Sequence, residues 1–240
     1  MKNHMKSVNL ESTKSSAPGV GLLAGFLMIA GSGLTALGAS VFTVDSSQSR
    51  VSISGSVLGT PLYAQGSGSL TTEYGGTLLA DVGANAIQFS GQSQVAAFDS
   101  GSWQPLSDGS GGSEPANYGV AASYFLTTAV AAARDLQVDV TSGALALVNG
   151  KFDTQGITVS IPAGAPSSLA YRVQGGINES GAVSLAGESA GGQVAQGSLV
   201  TVGSLQVLTI PIHYSFYFSL ASPNDSTVTL TGQVVATRSL

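Results

Sequence analysis

Gly187-Glu188-Ser189-Ala190-Gly191 has the spacing of an esterase nucleophile elbow, in which a serine sits on a sharp turn between a strand and a helix. A working elbow also needs a parallel sheet beneath it, and an acid and then a histidine later in the chain. Here His213, the sole histidine after residue 38, precedes Asp225, so the order is wrong. Gly192 to Ser198 is a poor helix former. In a chain with 32 glycines and abundant serine one such match is expected by chance, and Ser189 is read as non-catalytic.

The other chemistries lack partners in the same way. One histidine and no cysteine leave zinc and iron without ligands. Asp108 to Glu114 has the look of a calcium loop, but its twelfth position is Gly119 where a bidentate Glu is needed. Asp135 and Asp139 are expected on one strand face with Gln137, beside Arg134, as ordinary polar exterior. Trp103, in the Gly/Ser-rich run Asp99 to Glu114, has the ring of a sugar-stacking platform, yet a lone loop tryptophan more often packs on a rim. That run is expected to be a long, poorly ordered loop. No catalytic residue, metal site or cofactor is therefore assigned, and the chain is read as not an enzyme.

Residues 1–38 concern address. Lys2, Lys6 and Lys14 precede an uncharged stretch from Gly19 to Ala39, and small residues suit cleavage after Gly38 or Ser40. This is the pattern of a secretory signal peptide, with an uncleaved membrane anchor as the alternative. Residues 39–240 then form a single β domain with 12 acidic against 5 basic groups, net −7. The five basic residues are scattered, so nucleic acid is not an expected partner. An exported chain without cysteine must hold its fold by core and ladders alone.

The elements that position these residues are strands. From Leu208 to Leu220 the even positions are Leu208, Ile210, Ile212, Tyr214, Phe216, Phe218 and Leu220, against mostly polar odd positions: period two, one face buried. After a turn composition at Ala221 to Ser226, Val228 to Ala236 alternates likewise, which predicts a hairpin. Shorter alternating runs recur upstream, and Asn149-Gly150 predicts a type I′ turn. The expectation is an all-β fold, an antiparallel β-barrel or β-sandwich of about ten to twelve strands. Gly119 to Ala133, Ala-rich and without clean alternation, is expected as the one short helix.

Several stretches, FTVDSSQSRVSISGSVLG, GSGSLTTEYGGTLLADV, ARDLQVDVTSGALAL, LTIPIHYSFYF and NDSTVTLTGQVVATR, resemble a group of uncharacterised exported bacterial proteins related to exosortase-sorted (PEP-CTERM) proteins. The sorting motif of that group has no counterpart at Arg238-Ser239-Leu240. The opening FTVDSSQSRVSIS is also similar to YceI-type lipocalin-like barrels, which implies an isoprenoid-type lipid as ligand. Two functions follow. One is a non-catalytic exported protein with an envelope or extracellular structural role, placed in the periplasm, on the cell surface or outside the cell. The alternative is a carrier holding an apolar small molecule in a barrel lumen lined by Tyr214, Phe216 and Phe218. Partners are then envelope components or that ligand, with membrane contact only through the leader before cleavage.

Overall fold

The computed structural model describes residues 39–57, 59–176, 178–191, 194–218 and 226–240, and within these all side chains but those of residues 216–218 and 226. The expected leader, 1–38, lies outside the described residues, as does most of the turn expected at Ala221 to Ser226. The strands begin with β1 (Ser40–Val44), β2 (Arg50–Val57), β3 (Thr60–Pro61), β4 (Tyr63–Ala64), β5 (Thr71–Val82), β6 (Ala86–Phe89) and β7 (Gln94–Ala97). They continue with β8 (Gly101–Trp103), β9 (Glu114–Ala116), β10 (Tyr118–Tyr124), β11 (Thr127–Arg134), β12 (Gln137–Ser142), β13 (Leu145–Ala146) and β14 (Lys151–Asp153). The last are β15 (Ile157–Ser160), β16 (Ser168–Gln174), β17 (Glu179–Ser184), β18 (Ser189–Gly191), β19 (Gln196–Val202), β20 (Leu205–Phe218) and β21 (Ser226–Ser239). The fold is all-β and antiparallel, as the alternation predicts. Strands outnumber the expected ten to twelve because tight turns cut several runs into pieces of two or three residues.

Eight of these strands close a small barrel. β1 pairs β5, β5 pairs β6, and β6 pairs β13. The Val148–Lys151 bridge joins β13 to β14 across Asn149-Gly150, whose φ values of 50° and 73° are those of the expected type I′ turn. From β14 the ladder runs through β19, β20 and β21 and returns to β1. Directly opposed residues share a face, so one set of alternate positions points inward all round: Phe42 opposite Leu78, Ala80 opposite Phe89, Leu199 opposite Leu208, Ile210 opposite Val234. All eight are buried and, with Ile87 and Phe152, fill the interior. The Phe89 and Phe152 rings meet at 6.0 Å, tilted by 59°. A Cβ on Gly197 would run into the Phe152 ring, so the small residue on β19 makes the seat for the large one on β14.

β1 and β2 lie end to end, both flanked by β21 and β5, as one strand interrupted at Asp45–Ser49. The extra residues coil into a turn in which Asp45 O accepts from the amides of Gln48 and Ser49. The ladder is mended by a side chain. Ser49, fully buried, donates its hydroxyl to Val235 O at 3.0 Å and accepts from Val235 N at 2.9 Å. Beyond the interruption the β20–β21 hairpin continues in register to Phe218–Ser226.

A second sheet runs β17–β16–β11–β10–β4, and β8 pairs β9 in a separate ribbon. The expected helix over Gly119 to Ala133 is instead the β10–β11 hairpin, paired from Tyr118–Ala133 to Tyr124–Thr127. The reason is burial on both faces. Ala121 and Ala122 are neighbours and both are buried, as are Ala132 and Ala133, so no inside–outside alternation remains to mark the strand. Pairing with β4 and β16 then overrides the helix propensity of alanine. The run Asp99 to Glu114, expected to be poorly ordered, starts and ends in the β8–β9 ribbon.

Phe152→Ala should lower unfolding free energy by about 3–5 kcal/mol, since it empties a packed site in the barrel. Val41→Ala, on the outer face of the same ring and exposed, should change it by roughly 0.5 kcal/mol or less. Urea melts compare the two, and equal losses would contradict the inward set.

Candidate functional site

Ser189 is exposed and opens edge strand β18, its backbone opposite Ser160 of β15. It thus starts a strand after the Gly187 turn and does not stand between a strand and a helix. His213 lies exposed on β20, with Nδ1 3.4 Å from Thr231 Oγ1. Among the described residues no three His, Asp or Glu side chains converge on a metal-sized site.

Several carboxylates hold loops. Asp139 accepts from the amides of Gln92 at 2.9 Å and Ser93 at 2.8 Å, pinning the loop where β6 and β7 diverge from β5. The expectation that Asp135 shares its strand face is corrected: Asp135 is in a turn at φ 51°, with its carbonyl accepting from Ser167 Oγ. Asp108 accepts from Ser110 N at 2.7 Å, and its hydrogen bonds to Ser110 hold its carboxyl below the usual range. Glu114 lies 2.9 Å from the buried Arg134 guanidinium, close but off the hydrogen-bonding line, so the contact is an ion pair without a directed bond. The same guanidinium donates to the Trp103 and Pro105 carbonyls.

Trp103 lies against backbone. Cβ atoms on Gly68, Gly101 or Gly119 would each collide with its ring, and its Nε1 donates to Ser100 Oγ at 3.0 Å. Three glycines thus make a slot that seats the ribbon on β10, the rim-packing role. Of the three residues expected to line a lumen, Tyr214 is 7% exposed, and burial raises its phenol pKa. Phe216 and Phe218 pair through their backbones with Val228 and Ser226, and their side chains lie outside the described residues.

Two polar groupings escaped the sequence reading because their members are far apart in the chain. In the first, Gln65 donates to the carbonyls of Gln104, Val120 and Ala131 and accepts from Gln104 N, tying ribbon, hairpin and β4 together. The second caps one end of the barrel. Arg238 stands 5.0 Å over the Phe42 ring, donates to Gln206 Oε1 at 2.7 Å and bonds Ser40 Oγ. With Val41, Thr43, Leu205, Thr237 and Ser239 it lines an open depression of about 400 Å3. Hydroxyls and one guanidinium make this surface suited to polar contacts rather than to an apolar ligand. No local motif announces either grouping; only the pairing of Arg238 with Gln206 along the C-terminal hairpin hints at the second.

The two layers meet at a pair of tyrosines. Tyr118, on β10, donates to Val51 O at 3.0 Å and meets Tyr74 Oη, on β5, at 3.2 Å. Burial pushes Tyr74 up to about 12, and burial together with the Tyr74 charge pushes Tyr118 higher. No protein-family model matches the sequence, and neither a curated protein nor a solved structure matches it.

A raised phenol pKa stabilises the fold while the phenols stay neutral. Unfolding lets them ionise from about pH 10, so this contribution is full below that and is lost as pH rises through the folded values. Urea midpoints measured from about pH 8 to 11.5 should fall steeply above pH 10 in the wild type. Tyr74→Phe, with one phenol removed, should fall less steeply; an identical slope would exclude the pair as the cause.

Proposed function

We propose that this chain is an exported, non-catalytic structural domain of the cell envelope or extracellular surface. The observation that carries the reading is the filled barrel: Phe42, Leu78, Ile87, Phe89, Phe152 and Leu208 are each at most 2% exposed and pack against one another where a carrier holds its ligand. The disposition of polar groups supports it as well. Ser49, Gln65, Asn117, Asp139 and Ser167 are bonded to backbone groups of the scaffold itself. The leader-like residues 1–38 and the resemblance to exported PEP-CTERM-related proteins agree with this placement. The lipid-carrier alternative, drawn from the YceI-like opening and the aromatics at Tyr214, Phe216 and Phe218, needs space that this interior gives to side chains.

The test is organic extraction of the natively purified protein followed by mass spectrometry, with a fluorophosphonate probe applied in parallel. The expected result is no stoichiometric lipid and no labelled serine. A bound lipid that disappears in Phe216→Ala would favour the carrier, and labelling lost in Ser189→Ala would make the protein a hydrolase.

A further inference from the structure

The fold does not account for the tip of the β10–β11 hairpin. Tyr124 pairs with Thr127, leaving Phe125 and Leu126 as a two-residue turn. Phe125 is 92% exposed, Leu126 88% and Tyr124 54%. The Tyr124 and Phe125 rings meet edge-on at 5.4 Å. Beside them Tyr63, 45% exposed, is joined through its hydroxyl to Ser123 Oγ at 2.7 Å.

The backbone makes this choice of residues more costly. Phe125 has φ 53°, in the left-handed region, and a positive φ at the first central residue of such a turn ordinarily selects Gly. The Asn149-Gly150 turn of the same protein meets its two positive φ values with Asn and Gly, residues that tolerate them. A bulky ring held in a strained backbone and left in water satisfies neither local conformation nor packing, and such outliers gather where a chain binds something. The hairpin itself is uncharged: no residue from Pro115 to Ala133 carries a charge, Ser123 and Thr128 set hydroxyls beneath the tip, and the adjoining strands bring Arg172 opposite Val130 and Glu179 opposite Val173.

We propose that this tip inserts into the headgroup–acyl boundary of a lipid bilayer. A convex finger of four large side chains offers on the order of 500 Å2, below the ~800 Å2 per partner of a standard-size protein interface. A bilayer accepts a projecting wedge without a preformed pocket, and it favours tyrosine at the headgroup level with phenylalanine and leucine below. Phe125 and Leu126 are the wedge, Tyr124 and Tyr63 the interfacial collar. The inference goes beyond the structural role proposed above and leans on it only for bringing the protein near a membrane.

The chain has no cysteine, so single labels can be placed on the full-length protein. An environment-sensitive NBD fluorophore is attached at Leu126→Cys or, as a control on a different exposed turn, at Asn149→Cys. Each protein is titrated with phosphatidylcholine vesicles, with and without nitroxide-labelled lipid. The label at position 126 is expected to shift to shorter wavelength and be quenched, and that at 149 to do neither. Adding Phe125→Gly, which suits the left-handed φ, should leave the melting temperature equal or higher while raising the lipid needed by at least about tenfold. Silence at 126, or equal responses at both positions through the tethering leader, would overturn the proposal. So would a concentration-dependent blue shift without vesicles, since a second copy would then cover the tip. Lipid extraction reads the barrel interior and this titration reads the hairpin tip, so the two ideas fail separately.

Discussion

The fold depends on the pairing of its first strand with its last. β1 and β2 lie between β21 and β5, and only this insertion closes the ring on itself. The contact joins Val44 to Ala236 and Arg50 to Gln233, nearly the whole domain apart in sequence. Without a cysteine no covalent bond shares the task, so the loop entropy of closing such a ring is offset by ladder hydrogen bonds and by the apolar side chains they bring together. The fourteen-residue register of β20 with β21 is the longest ladder of the ring and the edge against which β1 and β2 pair.

Closure then dictates where polar groups go. A strand interrupted at Asp45–Ser49 leaves the Val235 amide without a ladder partner inside a closed wall, while the Val235 carbonyl still accepts from the Asp45 amide. The Ser49 hydroxyl accepts from that amide and donates to the same carbonyl. Gln65 works in the same way where the second sheet meets the ribbon, and Asn117 where β10 begins beside β7 and the approach to β12. Buried polar side chains in this protein serve as substitutes for missing ladder bonds, and that use leaves them coupled to the scaffold.

The outer surface follows a different logic from the interior. Arg238 is drawn over Phe42 at the barrel end, where a planar cation covers an aromatic ring that the ring of strands leaves open. Trp103 closes the other layer by lying flat on glycine backbone. Large apolar groups at both places are thus covered, whereas Phe125 and Leu126 are the most exposed large apolar side chains among the described residues.

The sequence by itself determined what depends on near neighbours in the chain. The alternation of Leu208 to Tyr214 marks a one-sided strand, Asn149-Gly150 marks the turn between β13 and β14, and the order of Ser189, His213 and Asp225 argues against an elbow. Tertiary structure decided whatever depends on what covers a residue. Ala121 and Ala122 are strand residues because layers lie on both sides of them, and a two-sided environment erases the period that would reveal it. Whether barrel or sandwich, which way Trp103 faces and how Arg238 reaches Ser40 are likewise settled by segments tens to hundreds of residues away. Local pattern records which face of a strand is apolar; only the closed ring determines what that face meets.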